Sequence, residues 1–74
     1  MFFILAMTET SKKLGENIKK LRVQKGMNQL ELCSILRVDT AYISNIENGK
    51  KNPTLKTVEK IAKVLKVDVN KLLK

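Results

Sequence analysis

Histidine and tryptophan are missing from this chain, and cysteine and proline occur once each in its 74 residues. Each shortage closes a class of function. Without histidine there is no Ser-His or Cys-His nucleophile pair, and no imidazole to move protons at neutral pH. The lone thiol, Cys33, cannot close an internal disulfide, and with no second thiol or imidazole it cannot build a zinc site. Its expected role is a small apolar filler where two helices approach closely, not a reactive group. Carboxylates and lysines remain, but no cluster of them suggests an active centre. The chain is therefore not expected to be an enzyme, and no cofactor, metal or small-molecule ligand is expected. Long apolar runs are absent too. The longest, MFFILAM at residues 1–7, falls far short of the about 20 residues that cross a bilayer, and it lacks the basic start and longer apolar middle of a secretory signal.

Acidic residues are scarce: seven Asp and Glu stand against fifteen Lys and Arg, a formal charge of +8. A polyanionic partner is the first explanation to test, beside the plainer one of a solvated basic surface that aids solubility. Charge attracts any nucleic acid without choosing a sequence. The chain is rich in Leu, Ile, Val and Lys with only three aromatics, a composition that suits a small helical bundle. Its length allows one domain, near the lower limit for a core without disulfide or metal.

The spacing of apolar residues predicts five helices. Residues 1–10 read as an apolar leader and 11–74 as the domain. Three readings of residues 1–7 stand open: an extended segment that pairs across a dimer, a disordered or cloning-derived leader, and a start codon placed ahead of the true one at Met7. If ordered, Phe2, Phe3, Ile4 and Leu5 need cover. Thr10 or Ser11 is expected to cap a first helix carrying Leu14, Ile18 and Leu21 on one stripe, ended by Gly26. Asn28 caps a second helix over 29–36, with Leu32, Ile35 and Leu36 at helical spacing and Leu32, Cys33 and Leu36 facing inward. Arg37, Val38 and Asp39 form a break, and Asp39 caps a third helix from Thr40 to about Asn48 that buries Ile43 and Ile46. Gly49 closes it, and Lys50, Lys51, Asn52 and Pro53 make a basic loop. Thr54 begins a fourth helix whose Leu55, Val58, Ile61, Ala62 and Leu65 form a core stripe. A final turn, capped by Asp68, docks through Val69, Leu72 and Leu73.

The core does not require Thr40, Ala41, Tyr42, Ser44 or Asn45, and a surface of short polar groups with one aromatic is suited to reading DNA. A major groove admits one helix. Asn45 could bond an adenine edge in a bidentate manner, and Thr40 or Ala41 could meet a thymine methyl. Tyr42 has two readings, a hydroxyl on a phosphate or a ring packed against the second helix.

The segment KGMNQLELCSILRVDTAYISNIENGKKNPTLKTVEKIAKVLKV resembles the phage-repressor-like helix-turn-helix regulators, the Cro/C1 or XRE type, over about residues 14–73. The pieces that carry the resemblance are Gln29 opening the second helix, the run ISNIENGK, the basic Asn-Pro loop and the apolar helix after it. AYISNIENGKKNPTL is most similar to the controller proteins of restriction-modification systems. The resemblance implies an all-α five-helix bundle with helices two and three as the helix-turn-helix. It implies that Thr40, Ala41, Ser44 and Asn45 face base edges, that Gln29 touches the DNA backbone and sometimes an outer base, and that Asn28, Asn48, Lys50 and Lys51 hold phosphates; Tyr42 stands with this last group in its hydroxyl reading. It pairs Arg22 with Glu47 in a structural ion pair. The expected partners are double-stranded DNA and a second copy of the chain, the expected role is a cytoplasmic transcription regulator, and the alternative is an antitoxin-like module that uses the same bundle to bind a protein. Where the family commonly has glycine, this chain has Arg37. A side chain in a left-handed turn costs about 1 kcal/mol, so a strained or differently shaped turn is expected there.

Overall fold

The computed structural model of the protein describes residues 2–74, and side chains from Thr10 onward. Five helices follow one another: α1 Phe2–Gln24, α2 Gln29–Leu36, α3 Thr40–Glu47, α4 Leu55–Leu65 and α5 Val69–Leu73. The expected all-α bundle is what forms, with no strand among the described residues. Neither Thr10 nor Ser11 caps α1, because the helix is already under way before them. Residues 2–9 contain no proline or glycine, so nothing in the backbone obliges a helix to wait until Thr10. Residues 2–7 belong to α1 and are helical, which corrects the reading of an extended segment. The cover needed by Phe2, Phe3, Ile4 and Leu5 concerns side chains outside the described residues.

Helices as short as α2 and α3, eight residues each, do not persist on propensity alone. Capping and burial hold them. At α2, Asn28 Oδ1 accepts from the Glu31 amide at 2.8 Å while Glu31 Oε1 accepts from the Asn28 amide at 2.9 Å, a reciprocal capping box. At α3, Asp39 Oδ1 accepts from the Tyr42 amide at 3.0 Å. Thr54 Oγ1 accepts from the Thr57 amide at 3.3 Å at the start of α4. Asp68 occupies the same position before α5 but its carboxylate makes no capping bond, so that helix relies on the burial of Leu72.

The first four helices end alike. The amides of Met27, Val38, Lys50 and Val67 each reach back five residues, to the carbonyls of Arg22, Cys33, Asn45 and Ala62, at 2.8 to 3.1 Å. This closure needs one left-handed residue. Gly26 and Gly49 supply it at φ 69° and 75°, but Arg37 and Lys66 supply it at φ 60° and 58°. The turn at Arg37 therefore keeps the left-handed shape that glycine would have, with a side chain in place.

Leu14, Ile18, Leu32, Cys33, Ile43, Ile46, Val58, Ile61, Ala62, Leu65 and Leu72 form one continuous core. Two residues expected in it are outside: Leu55 is 64% exposed and Leu73 46%. Each sits about a quarter-turn from the buried line of its short helix. A close approach of α1 to the end of α3 was not foreseen. A Cβ placed on Gly15 would overlap the carbonyl oxygen of Ile46 and lie 2.7 Å from that of Glu47, so glycine is what lets α1 press against the end of α3. Ser11, one turn earlier, is also buried, and its hydroxyl has no hydrogen-bond partner among the described residues.

Candidate nucleic-acid interface

Burial divides α3 lengthwise. Ile43, Ile46 and Glu47 are buried, while Thr40, Ala41 and Asn45 are exposed and Ser44 is half-buried. Residues 40, 41, 44 and 45 share one side of a helix, as the 3.6-residue period requires. Asn48 extends that side by a turn, its Nδ2 donating to Ser44 Oγ at 3.4 Å.

What fixes the helix beneath this face is an ion pair. Arg22 Nε donates to Glu47 Oε2 at 2.6 Å and Nη2 to Oε1 at 3.1 Å, a two-point fork, while Nη1 donates to the carbonyl of Met27 at 2.7 Å. The side chains are 9% and 1% exposed, so the pair is desolvated and tolerable only because its hydrogen bonds are made. Gln29 joins the same group, its Nε2 donating to Glu47 Oε1 at 2.9 Å. One Glu47 carboxylate thus joins the end of α1, the first residue of α2 and the last residue of α3.

The start of α3 is held separately. Cys33 Sγ donates to the carbonyl of Asp39 at 3.5 Å, beside the Asp39 cap. Burial pushes the Cys33 thiol above its ordinary pKa, with the Asp39 and Glu47 carboxylates adding to the rise and Arg22 opposing it. The group is a neutral packing thiol, not a nucleophile.

Cations gather where α3 gives way to the loop before α4. Lys50 and Lys51 are exposed, and Lys51 Nζ lies 5.2 Å from the centre of the Tyr42 ring. The Tyr42 ring is half-buried, packs against the core and forms a platform for that ammonium. Asn28 is exposed, and its side-chain oxygen is committed to the cap of α2. The outward face of α3 carries no carboxylate of its own, since Glu47 is buried and neutralised.

Three features of this region escaped the reading of the sequence: the Gln29 link to Glu47, the Lys51 platform and the approach at Gly15. Only the last left a signal, a glycine inside a strongly helical stretch, which calls for a packing reason. Among the described residues no cluster of His, Cys, Asp and Glu could hold a metal, and no helix is long and apolar enough to cross a membrane.

The helix-turn-helix family model matches residues 18–72. Over 61 residues the chain is 41% identical to the ImmF control region 10 kDa protein of Bacillus phage phi105, an alignment covering 82% of this chain and 68% of that protein. Over 67 residues it is 34% identical to the control protein C.MunI of a Mycoplasma species, with 89% and 90% covered. Among solved structures it resembles the restriction-modification controller protein C.AhdI from Aeromonas hydrophila, with a TM-score of 0.79 and 29% identity over 84% of this chain and 94% of that one. Longer regulators match as well, and of two of these the chain spans about half the length. The matched span takes in α2, α3 and α4 whole, and the chain belongs to the XRE-type helix-turn-helix family, a family of transcription regulators and not of enzymes.

Proposed function

We propose that this protein is a sequence-specific regulator that binds double-stranded DNA as a homodimer on a roughly palindromic operator, with α3 in the major groove. The observation that carries the reading is the outward face of α3. Thr40, Ala41, Ser44 and Asn45 lie together on a helix whose buried side is fully engaged, and Lys50 and Lys51 follow at its end. In this reading Gln29, Thr40, Ala41, Ser44 and Asn45 face the bases or the groove edge. Asn28, Tyr42, Asn48, Lys50 and Lys51 serve the phosphates, Asn28 through the helix start it caps and Tyr42 by steadying Lys51.

One helix makes few base contacts, and two subunits reading half-sites about 34 Å apart solve that problem. The surface offered for the dimer runs from Val67 to Leu73, where Val67 and Val69 are half-buried and Leu73 is 46% exposed. A cytoplasmic location goes with this role, and so does kinship in function with the controller proteins.

Selection of bound sequences from random duplex DNA tests the proposal. A two-fold symmetric consensus is expected, and no enrichment over non-specific DNA would refute it. Asn45→Ala should weaken binding to the selected site by about 1–3 kcal/mol and relax base choice at one position of each half-site. Lys51→Ala should weaken all DNA alike and flatten the salt dependence. An unchanged footprint and preference in Asn45→Ala would remove it from the base-reading set.

A further inference from the structure

Away from the α3 face, α2 and α4 leave an open groove of about 390 Å³ between them, lined by Ile35, Leu36, Arg37, Lys60, Lys63 and Val64. Its floor is aliphatic and its three charged residues are all cations. Ile35 stands 56% exposed here. Arg37 borders the groove from a left-handed backbone position, φ 60°, that glycine would occupy without strain.

From this juxtaposition we infer that the α2–α4 groove is a docking site for an acidic amphipathic helix of a partner protein. Such a helix lays apolar side chains spaced i, i+3 or i+4, and i+7 onto Ile35, Leu36 and Val64. Carboxylates flanking that stripe meet Lys60 and Lys63 on the α4 wall and Arg37 at the end of α2. Lys60 and Lys63 are three residues apart on one helix, a spacing that a second helix with acids three or four residues apart matches.

Charge chooses the occupant. A second copy of this chain, at +8, would bring an excess of like charge to a groove that already holds three cations. Duplex DNA would satisfy the cations but offers nothing to the aliphatic floor. No residue of α3 or of the loop at 50–53 lines the groove, so an acidic helix there leaves the proposed DNA face free.

The test is a selection of helical peptides from a randomised display library on the wild-type protein, in the presence of excess duplex DNA. Enrichment of peptides that carry Asp or Glu beside an i, i+3/i+4, i+7 apolar stripe is expected. An enriched peptide, labelled and followed by fluorescence anisotropy, should bind Lys63→Glu and Ile35→Asp about tenfold more weakly or worse and Lys51→Ala unchanged. Both groove positions are exposed, and a melting curve on each variant confirms that it is folded. Failure to enrich acidic, apolar-striped peptides overturns the proposal. So does displacement of the enriched peptide by DNA, or equal binding by the folded groove variants. Light scattering supplies the last arm: a wild-type dimer that Ile35→Asp turns into monomers would assign the groove to a second copy instead.

Discussion

Gly15→Ala sets two rules against each other. On propensity alone, replacing a glycine inside a helix by alanine should stabilise the protein by about 1 kcal/mol. The packing says the reverse. The added methyl group would overlap the Ile46 carbonyl oxygen and stand 2.7 Å from the Glu47 oxygen and 2.9 Å from its carbonyl carbon, where ordinary contact begins at 3.4 Å. Those atoms are backbone, so no rotamer change relieves the contact. The helices must retreat by at least 0.7 Å, the difference between 2.7 and 3.4 Å. The retreat opens the interface at Ile18, Ile43 and Ile46, each wholly buried, and stretches the Arg22–Glu47 fork.

Overpacking of this kind costs about 1–3 kcal/mol, and rigid backbone partners put it at the upper end. After the propensity gain, a net loss of about 2 kcal/mol remains, equivalent to roughly 8–16 °C in a domain of this size. Thermal and urea denaturation followed by far-UV circular dichroism reads it. Gly26→Ala is the control: nothing lies within 4 Å of its added carbon, and only its φ of +69° opposes the change, so it should lose about 1 kcal/mol without disturbing the helix packing. A Gly15→Ala protein that melts at or above the wild type would refute the claimed approach of α1 and α3.

Three further sets of substitutions probe the frame and the surface. Glu47→Ala or Arg22→Ala should each cost about 3 kcal/mol by stranding a buried charge, and the double replacement Arg22→Met with Glu47→Leu should cost less than either; additive losses in a urea double-mutant cycle would argue against a desolvated pair. Arg37→Gly should raise stability by about 0.5–1 kcal/mol, since relief of the left-handed strain exceeds the entropy that glycine adds to the unfolded chain, and lowered stability would contradict the backbone described. Tyr42→Phe keeps the ring under Lys51 and should leave the salt dependence of DNA affinity unchanged, whereas Tyr42→Ala should flatten it towards that of Lys51→Ala; a full loss in Tyr42→Phe would assign the phosphate contact to the hydroxyl.

The helices themselves were legible because their signals are local. Asn28 before the second apolar stripe, Asp39 before a polar turn, and Gly26 and Gly49 after apolar stripes mark ends without knowledge of the tertiary structure. Burial at the edges of short helices was less legible. In a helix of five residues the buried line is set by where the neighbouring helix lies, so spacing alone placed Leu73 in the core when it is 46% exposed. Arg22 and Glu47 are 25 residues apart and were paired only through the family resemblance. Nothing in their spacing speaks of it. Lys66 in a left-handed turn was equally unreadable, because its position is forced by the closure of α4 on the Ala62 carbonyl and not by its own preference.

The anchors of α3 all lie on its buried side or at its ends. Asp39 and the Cys33 thiol hold its beginning, Gly15 admits its last turn, and Arg22 fixes Glu47. None of these interactions uses the side chains of Thr40, Ala41 or Asn45, and Ser44 is engaged only by the surface amide of Asn48. The helix can therefore keep its position while its outward residues change. Surface substitutions free of such ties shift stability by about 0.5 kcal/mol or less. Substitutions at 40, 41 and 45 should then alter which DNA sequence is selected without altering the melting temperature by more than a few degrees. Gln29 is the exception within the proposed reading set, because its amide also serves Glu47. Gln29→Ala removes a hydrogen bond from a buried carboxylate as well as a group at the groove edge, so it should lower stability and DNA affinity together. A Gln29→Ala protein with wild-type stability and altered sequence choice would separate the two roles and show that the Glu47 carboxylate is held by Arg22 alone.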